Sequence, residues 1–350
     1  MSREIDNSNS DIAGKPSTGI AVQEPQHKGA AVKAALAANI GVAVAKAAAA
    51  LYTGSSAMLS ESVHSLADCT NEIVLMIGDK ASRHITGGHH PFGLYRMKYL
   101  ASFVVATLLF FVGGFFSTSQ AVEKIQTVIE NPQAAVANCS ELVVAFVVVI
   151  ISACLEGSGL HRSVIEARER MQRTGMPRIG VFRFWRRTKS AELASVIMED
   201  TLALIGLAFA GVGIGMAILT GNEVWDACGG LLVGLLLMVG SVILATKSGS
   251  LLLGESLDTD TRKAVIEAVT NTPGVERLLN MQAVHMAEDD ILLCLKVQTS
   301  KLDRDYDVQT VDKIERAVRE RLPWFRFEIY VEPDVYDPEH VGAKTEQSKA

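Results

Sequence analysis

The stretch that decides the fold reads Ala57-Met58-Leu59-Ser60-Glu61-Ser62-Val63-His64-Ser65-Leu66-Ala67-Asp68-Cys69-Thr70-Asn71-Glu72. It opens an apolar run, Ala57–Gly78, long enough to cross a hydrocarbon core of about 30 Å. Yet ionisable residues stand at 61, 64, 68 and 72. That spacing of three or four places them on one face of a helix. A charged side chain at mid-bilayer costs several kcal/mol or more, on the order of ~3 by insertion scales. Four on one stripe therefore predict a cavity, a partner or an ion on that side of the helix. A polar helix–helix contact is the plainer alternative.

Five further apolar stretches flank this one: Ala30–Tyr52, Tyr99–Thr118, Val136–Gly159, Leu193–Leu219 and Ala227–Ala245. Together they predict a polytopic α-helical membrane protein with six transmembrane helices. Composition agrees. Of 350 residues, 49% are apolar but only 6% aromatic, and mean hydropathy is +0.24. The excess lies in Ala, Val, Leu, Ile and Gly, the small and aliphatic residues that let membrane helices approach closely. A formal net charge of -6 disfavours a nucleic-acid binder. The five cysteines (Cys69, Cys139, Cys154, Cys228, Cys294) form no CxxC and read as small hydrophobes rather than a disulfide or zinc framework.

Basic residues alternate between loops. Lys80, Arg83, Arg96 and Lys98 follow the second span. Nine more, from Arg162 to Lys189, follow the fourth. The loop after the third has only Lys124, and those after the first and fifth have none. By the positive-inside rule both termini are cytoplasmic. The loop Leu160–Ser190 also carries Phe182, Phe184 and Trp185. An amphipathic segment on the inner leaflet is one reading of it, and simple positive-inside anchoring is preferred. Residues 1–29 are polar, with no basic start followed by an apolar run, and read as a disordered cytoplasmic tail without a signal peptide.

After the sixth span the chain turns soluble. Asp258 or Thr259 caps a helix through about Asn271. Val275–Ala287 and Ile291–Thr299 read as strands, with Glu288-Asp289-Asp290 as the turn between them. Val308–Arg321 is an amphipathic helix whose stripe is Val311, Ile314, Val318 and Leu322. Arg326–Glu332 alternates as a strand. The domain boundaries are thus 30–253 for the membrane part, 254–333 for a small α+β domain with helices on one sheet face, and 334–350 for a disordered tail.

His64 and Asp68, at i and i+4, can converge on one point. Imidazole plus carboxylate suits a borderline divalent metal, zinc first, with manganese, iron or cobalt as alternatives. Two ligands are too few, so another span must contribute. The fifth offers Glu199-Asp200, a buried acidic pair that needs a nearby cation or a proton. Glu156, near the end of the fourth span, reads as interfacial.

These residues resemble the cation diffusion facilitator family of divalent-metal transporters. The resemblance rests on Ser56–Asp68 with its His-x-x-x-Asp, on His90-Pro91-Phe92-Gly93 followed by Arg96, and on Gly254-Glu255-Ser256 leaving the sixth span. It covers about residues 30–333. It implies a ferredoxin-like cytoplasmic domain and a homodimeric metal/proton antiporter exporting metal from the cytosol by alternating access. It also implies a tetrahedral site to which His64, Asp68 and Asp200 carry over. The fourth position is Val196 here, so Glu199, Glu61 or a water completes the set. Glu61 lies one turn from His64, while Glu199 points about 100° from Asp200 around their helix. His84, His89 and His90 lack the acids of a second metal site. His285 with Glu288, Asp289 and Asp290 reads as a solvated acidic turn, and the soluble domain as mainly a dimer contact.

The implied setting is a bacterial inner membrane or a eukaryotic organelle membrane. Two other classes stand beside transport of metal: a transport-dead member of the fold serving as a metal-binding or regulatory partner, motivated by Val196, and an unrelated carrier of organic cations. Neither the second nor the fifth span has the aromatic pocket that an organic cation wants. There is no GxxxxGK[ST] motif for ATP-driven pumping, and the chain is expected to be a carrier rather than an enzyme.

Overall fold

The computed structural model describes residues 28–82, 94–131, 136, 138–173, 180–300 and 304–336. The motif residues His84, His89, His90, Pro91, Phe92 and Gly93 lie outside them, as do the chain's first 27 and last 14 positions.

The chain begins with α1 (Lys28–Thr53) and α2 (Ser56–Ser82). Next come α3 (Met97–Leu108), a π-helical segment (Leu109–Phe115) and α4 (Phe116–Glu130), which run on as one helix. Then follow α5 (Cys139–Arg173), the short α6 (Val181–Arg187), α7 (Ala191–Thr220) and α8 (Val224–Leu253). Among the described residues, five helices are long and apolar enough to cross a membrane: α1, the α3–α4 rod, α5, α7 and α8. The 27-residue α2 is long enough too, but its charged stripe excludes it from that class. It packs instead among α1, α3, α7 and α8. Large aliphatic side chains on α5 (Val143, Val147, Ile150, Ile151) face outward, as a lipid-facing surface requires.

Glycines let α8 sit at the centre. A Cβ at Gly234 would meet the Thr118 backbone nitrogen at 2.7 Å, and one at Gly114 the Met238 nitrogen at 2.8 Å. The α3–α4 rod therefore lies backbone to backbone on α8, a contact that any side chain would push apart. The N-terminus of α2 is held from a distance. The fully buried Asp226 carboxylate, on the first turn of α8, accepts from Ser55 Oγ (2.5 Å), Ser56 N (2.6 Å) and Ala57 N (3.3 Å). It thus satisfies donors that the first helical turn leaves orphaned. Lys124 Nζ of α4 lies 3.1 Å from the same carboxylate.

Beyond Leu253 the order is α9 (Thr259–Thr270), β1 (Val275–His285), β2 (Asp290–Thr299), α10 (Arg304–Arg321) and β3 (Arg326–Pro333). The sheet order is β1-β2-β3, with β1 antiparallel and β3 parallel to β2. Since β2 and β3 run parallel, α10 must serve as their crossover. Asp258 caps α9, accepting from the Asp260 and Thr261 amides at 3.1 and 3.3 Å. Val265 and Val269 of α9 cluster with Ile314 and Val318 of α10, Leu322 just beyond it, and Ile291, Leu293, Leu295 and Val297 of β2. Gly254 (φ +108°) begins the link, where a Cβ would strike Val284 Cγ2 at 2.7 Å.

Three expectations need correction. The helix of the fourth span does not end at Gly159 but runs to Arg173, because Leu160–Arg173 is rich in good helix formers. Phe184 and Trp185 do not lie in an open loop but on the short helix α6. They pack against Ala167, Met171, Leu193 and Ala194, and Trp185 Nε1 donates to Ala194 O at 2.8 Å. The tail boundary shifts as well: Asp334 pairs with Lys296 (2.6 Å), and Arg277 lies over the Tyr336 ring at 4.5 Å.

Candidate metal centre

The stripe on α2 faces inward. Glu61 and His64 are fully buried, and Asp68 is largely so. His64 Nδ1 stands 3.5 Å from Asp68 Oδ1, one helical turn apart. Among the described residues, neither ring nitrogen of His64 has a hydrogen-bond partner, and the same holds for Glu61 Oε1, Asn71 Oδ1 and Glu199 Oε1. A buried polar atom left unsatisfied costs about 1–3 kcal/mol. Three of these residues lie on α2 and one, Glu199, on α7.

The Glu199-Asp200 pair of α7 is split by the helix. Glu199 turns toward α2, where the Asn71 side chain hydrogen-bonds it. Asp200 turns toward α5, where Ser163 Oγ donates to its Oδ2 at 2.8 Å. Gly159 of α5 makes room, since a Cβ there would stand 3.7 Å from Asp200 Oδ1. The two side chains thus leave α7 in different directions, and both carboxylates lie within the field of Asp68. Val196, one turn before Asp200, brings no donor atom to the site. Among the described residues, no three His, Cys, Asp or Glu side chains stand close enough together to hold a metal ion in this conformation. The ligands are opposed across two helices rather than gathered.

Glu61 has a partner that the sequence reading missed. Lys46 of α1 is fully buried, with Nζ 2.8 Å from Ser65 Oγ, 3.3 Å from Glu61 Oε2 and 3.4 Å from Glu156 Oε1. Glu156 is therefore a mid-helix residue of α5 that reaches Lys46 in the bundle. The signal was there: Lys46 is the one charge between Lys33 and Glu61, in an alanine-rich run, and the penalty argued for α2 applies to it equally. On α7, Gly206 leaves space for Glu61, since a Cβ there would lie 2.7 Å from Oε1. Toward α3, Asp68 and Asn71 line a small cavity with Val105, Leu108 and Leu109, where the π segment begins. Such segments often accompany functional sites. Glu72, the outermost acid of the stripe, accepts from Asn39 Nδ2.

In the soluble domain, His285 is not part of a solvated turn. It is buried, packs edge-on to Phe325 with ring centroids 6.0 Å apart, and burial pushes its imidazole down to about 4. Asp290 beside it is held bidentately by Arg326, at 2.6 and 2.8 Å. The domain meets the membrane part through Glu255. Lys189 donates to its carboxylate, Lys247 stands 3.7 Å away, and His285 N donates to its carbonyl at 3.0 Å. The lysines hold the Glu255 carboxyl below its usual range despite burial.

Residues 32–253 match the cation efflux transmembrane domain. The chain is 27% identical over 263 residues to the proton-coupled zinc antiporter SLC30A9, mitochondrial, of Xenopus laevis, which covers 75% of this chain and 44% of that relative. It is 26% identical over 258 residues to metal tolerance protein C4 of Arabidopsis thaliana, covering 74% and 54%. With magnetosome protein MamB of Magnetospirillum gryphiswaldense it shares 24% over 293 residues, covering 82% and 86%. The chain thus spans less than half the length of the frog zinc antiporter. The match to the domain takes in most of the chain and every helix that carries the buried acids, so this protein belongs to the cation efflux family, the cation diffusion facilitators.

Proposed function

We propose that the protein is a divalent-metal efflux transporter, zinc foremost, that exchanges cytosolic metal for protons by alternating access. One observation carries this reading: the buried, hydrogen-bond-deficient atoms of His64, Glu199 and Asn71 lie beside Asp68 on facing sides of α2 and α7. Neutral imidazole and ionised carboxylate are what a zinc ion needs, and both compete with protons for the same atoms. Metal displaces protons on the cytosolic side, and protons displace metal on the far side. Rocking of helices, with α2 and α7 closing on the ion and parting again, switches the exposed side.

In this reading α2 is the sixth span, its charged stripe turned away from lipid, and both termini are cytoplasmic. His64, Asp68 and Glu199 are the leading ligands. Asp200 reaches the ion only when α7 turns, and Glu61 only when it leaves Lys46. The domain after Gly254 has the α-β-β-α-β order that a ferredoxin-like dimerisation domain would have, and the working unit is a homodimer in lipid. The name of the zinc antiporter relative supports zinc and proton exchange, and that of the metal tolerance relative supports handling of metal.

A second reading, a transport-dead regulatory partner, draws on Val196 and the opposed rather than gathered ligands. Reconstituted liposomes under a zinc gradient separate the two. Proton flux in the wild type, lost in Asp68→Ala while the protein stays folded, is expected. Absence of flux with zinc, manganese, iron and cobalt would leave the regulatory reading. Normal flux in Asp68→Ala would remove Asp68 from the site.

A further inference from the structure

We propose that Lys46 is a specificity-determining residue: a tethered ammonium that keeps Glu61 and Glu156 out of the metal's coordination. The inference rests on the transport-site reading above and extends it to a residue on α1. All three ammonium protons have acceptors, in Ser65, Glu61 and Glu156. No water reaches the group, so these contacts replace its hydration, and removing them would strand a charge. The arrangement ties α1 to both α2 and α5 beside the His64–Asp68 pair, and Asp68 lies within the field of the same charge.

The consequence is a change in what the cation meets. Without Lys46, Glu61 and Glu156 would stand as two further unpaired carboxylates near the His64–Asp68 pair. A site so rich in oxygen suits hard ions such as manganese, magnesium or calcium. With Lys46 holding both acids, the set that remains is imidazole with Asp68 and Glu199, a zinc-like set. The ammonium also repels the bound dication, so binding stays loose enough for release.

The test uses the full chain in detergent at one pH, with zinc and manganese alone as probes. Lys46→Gln is expected to tighten manganese at least about tenfold and to lower the zinc-to-manganese preference by a similar factor, because a nearby unit charge is removed and an acid freed. Lys46→Gln with Glu61→Gln is expected to move the preference back toward wild type, which a merely structural lysine would not do. An unchanged preference in folded Lys46→Gln, or an equal weakening of both metals that the double variant does not reverse, overturns the proposal.

Should Lys46→Gln fail to fold, Glu61→Gln decides alone. Zinc affinity within about threefold of wild type supports the sequestered Glu61, and a loss of about a hundredfold makes it a ligand and overturns the inference. Asp68→Ala separates the two levels. Intact zinc binding there overturns the site and this inference together. Lost zinc binding there, beside a lost Glu61→Gln, overturns this inference alone.

Discussion

The two acids of α7 give a sharp contrast, since each can be made neutral at nearly constant shape. Glu199 faces α2 with one carboxylate oxygen lacking a partner. Asp200 spends an oxygen on Ser163, 2.8 Å away on α5. To ligate a metal between α2 and α7, Asp200 must leave that charge-assisted bond, giving up about 1.5–3 kcal/mol, or about 10- to 150-fold in affinity. It must also swing by roughly one residue's worth of helix rotation, about 100°. Glu199 already faces α2 with Oε1 free, so it needs no such swing and can keep its Asn71 hydrogen bond. Glu199→Gln is therefore expected to weaken zinc binding by at least about 100-fold, as loss of an anionic ligand should. Asp200→Asn should cost less than about tenfold, through the charge alone. Ser163→Ala supplies the control: if Asp200 is a ligand, freeing it tightens binding, and if not, affinity stays put. The assay is competition against a zinc-chelating dye with purified protein at fixed pH. The reasoning fails if Asp200→Asn is as damaging as Glu199→Gln, or if Ser163→Ala tightens zinc.

Two further outcomes test the scaffold. Asp226→Ala strands the Ser56 and Ala57 amides and one partner of Lys124, a loss of about 3–5 kcal/mol at ~1–3 per stranded group. It should lower the unfolding temperature in detergent on the order of 10 °C, with Asp226→Asn about half as severe; an unchanged midpoint would show that α2 is not held from α8. In the soluble domain, His285 is neutral when folded, with its pKa near 4, against about 6.5 in the unfolded chain. The unfolded state then binds more protons between those values, so stability falls as pH drops from about 6.5 toward 4, by about 3 kcal/mol at the lower end. The melting temperature of His285→Phe should lack that part of the acid sensitivity; equal pH profiles for the two proteins would refute it.

How legible these features were depended on how far apart their causes lie in sequence. The α2 stripe, the alternating strands around Glu288–Asp290 and the Asp258 cap all rest on neighbours within a turn or two, and each reads directly. Lys46 reads only in part: its place in an alanine-rich run signals a buried charge, but its partners lie 15, 19 and 110 positions away, so its own helix does not say what pairs with it. Asp226 is hidden for the same reason. It reads as a loop acid beside Glu223, and only the fold brings the N-terminus of α2 to it, some 170 positions earlier. Phe184 and Trp185 looked amphipathic in isolation, but the extension of α5 to Arg173 puts Ala167 and Met171 beneath them. The extension itself was obscured by Gly157, Gly159 and Arg162, which read as an end although the residues after them favour helix.

The same distances bear on how the proposed site would work with Val196 in place of a ligand. A position that supplies no donor can be replaced by any acid that packing turns inward, and on α7 the next inward acid is Glu199, not Asp200. Packing can equally withdraw an acid from use, as Lys46 withdraws Glu61. The count of carboxylates on a membrane helix is therefore a poor guide to coordination. What matters is which of them α1 and α5 have already engaged. Ser163 and Lys46, neither of which would touch the ion, decide between them whether Asp200 and Glu61 are free to do so.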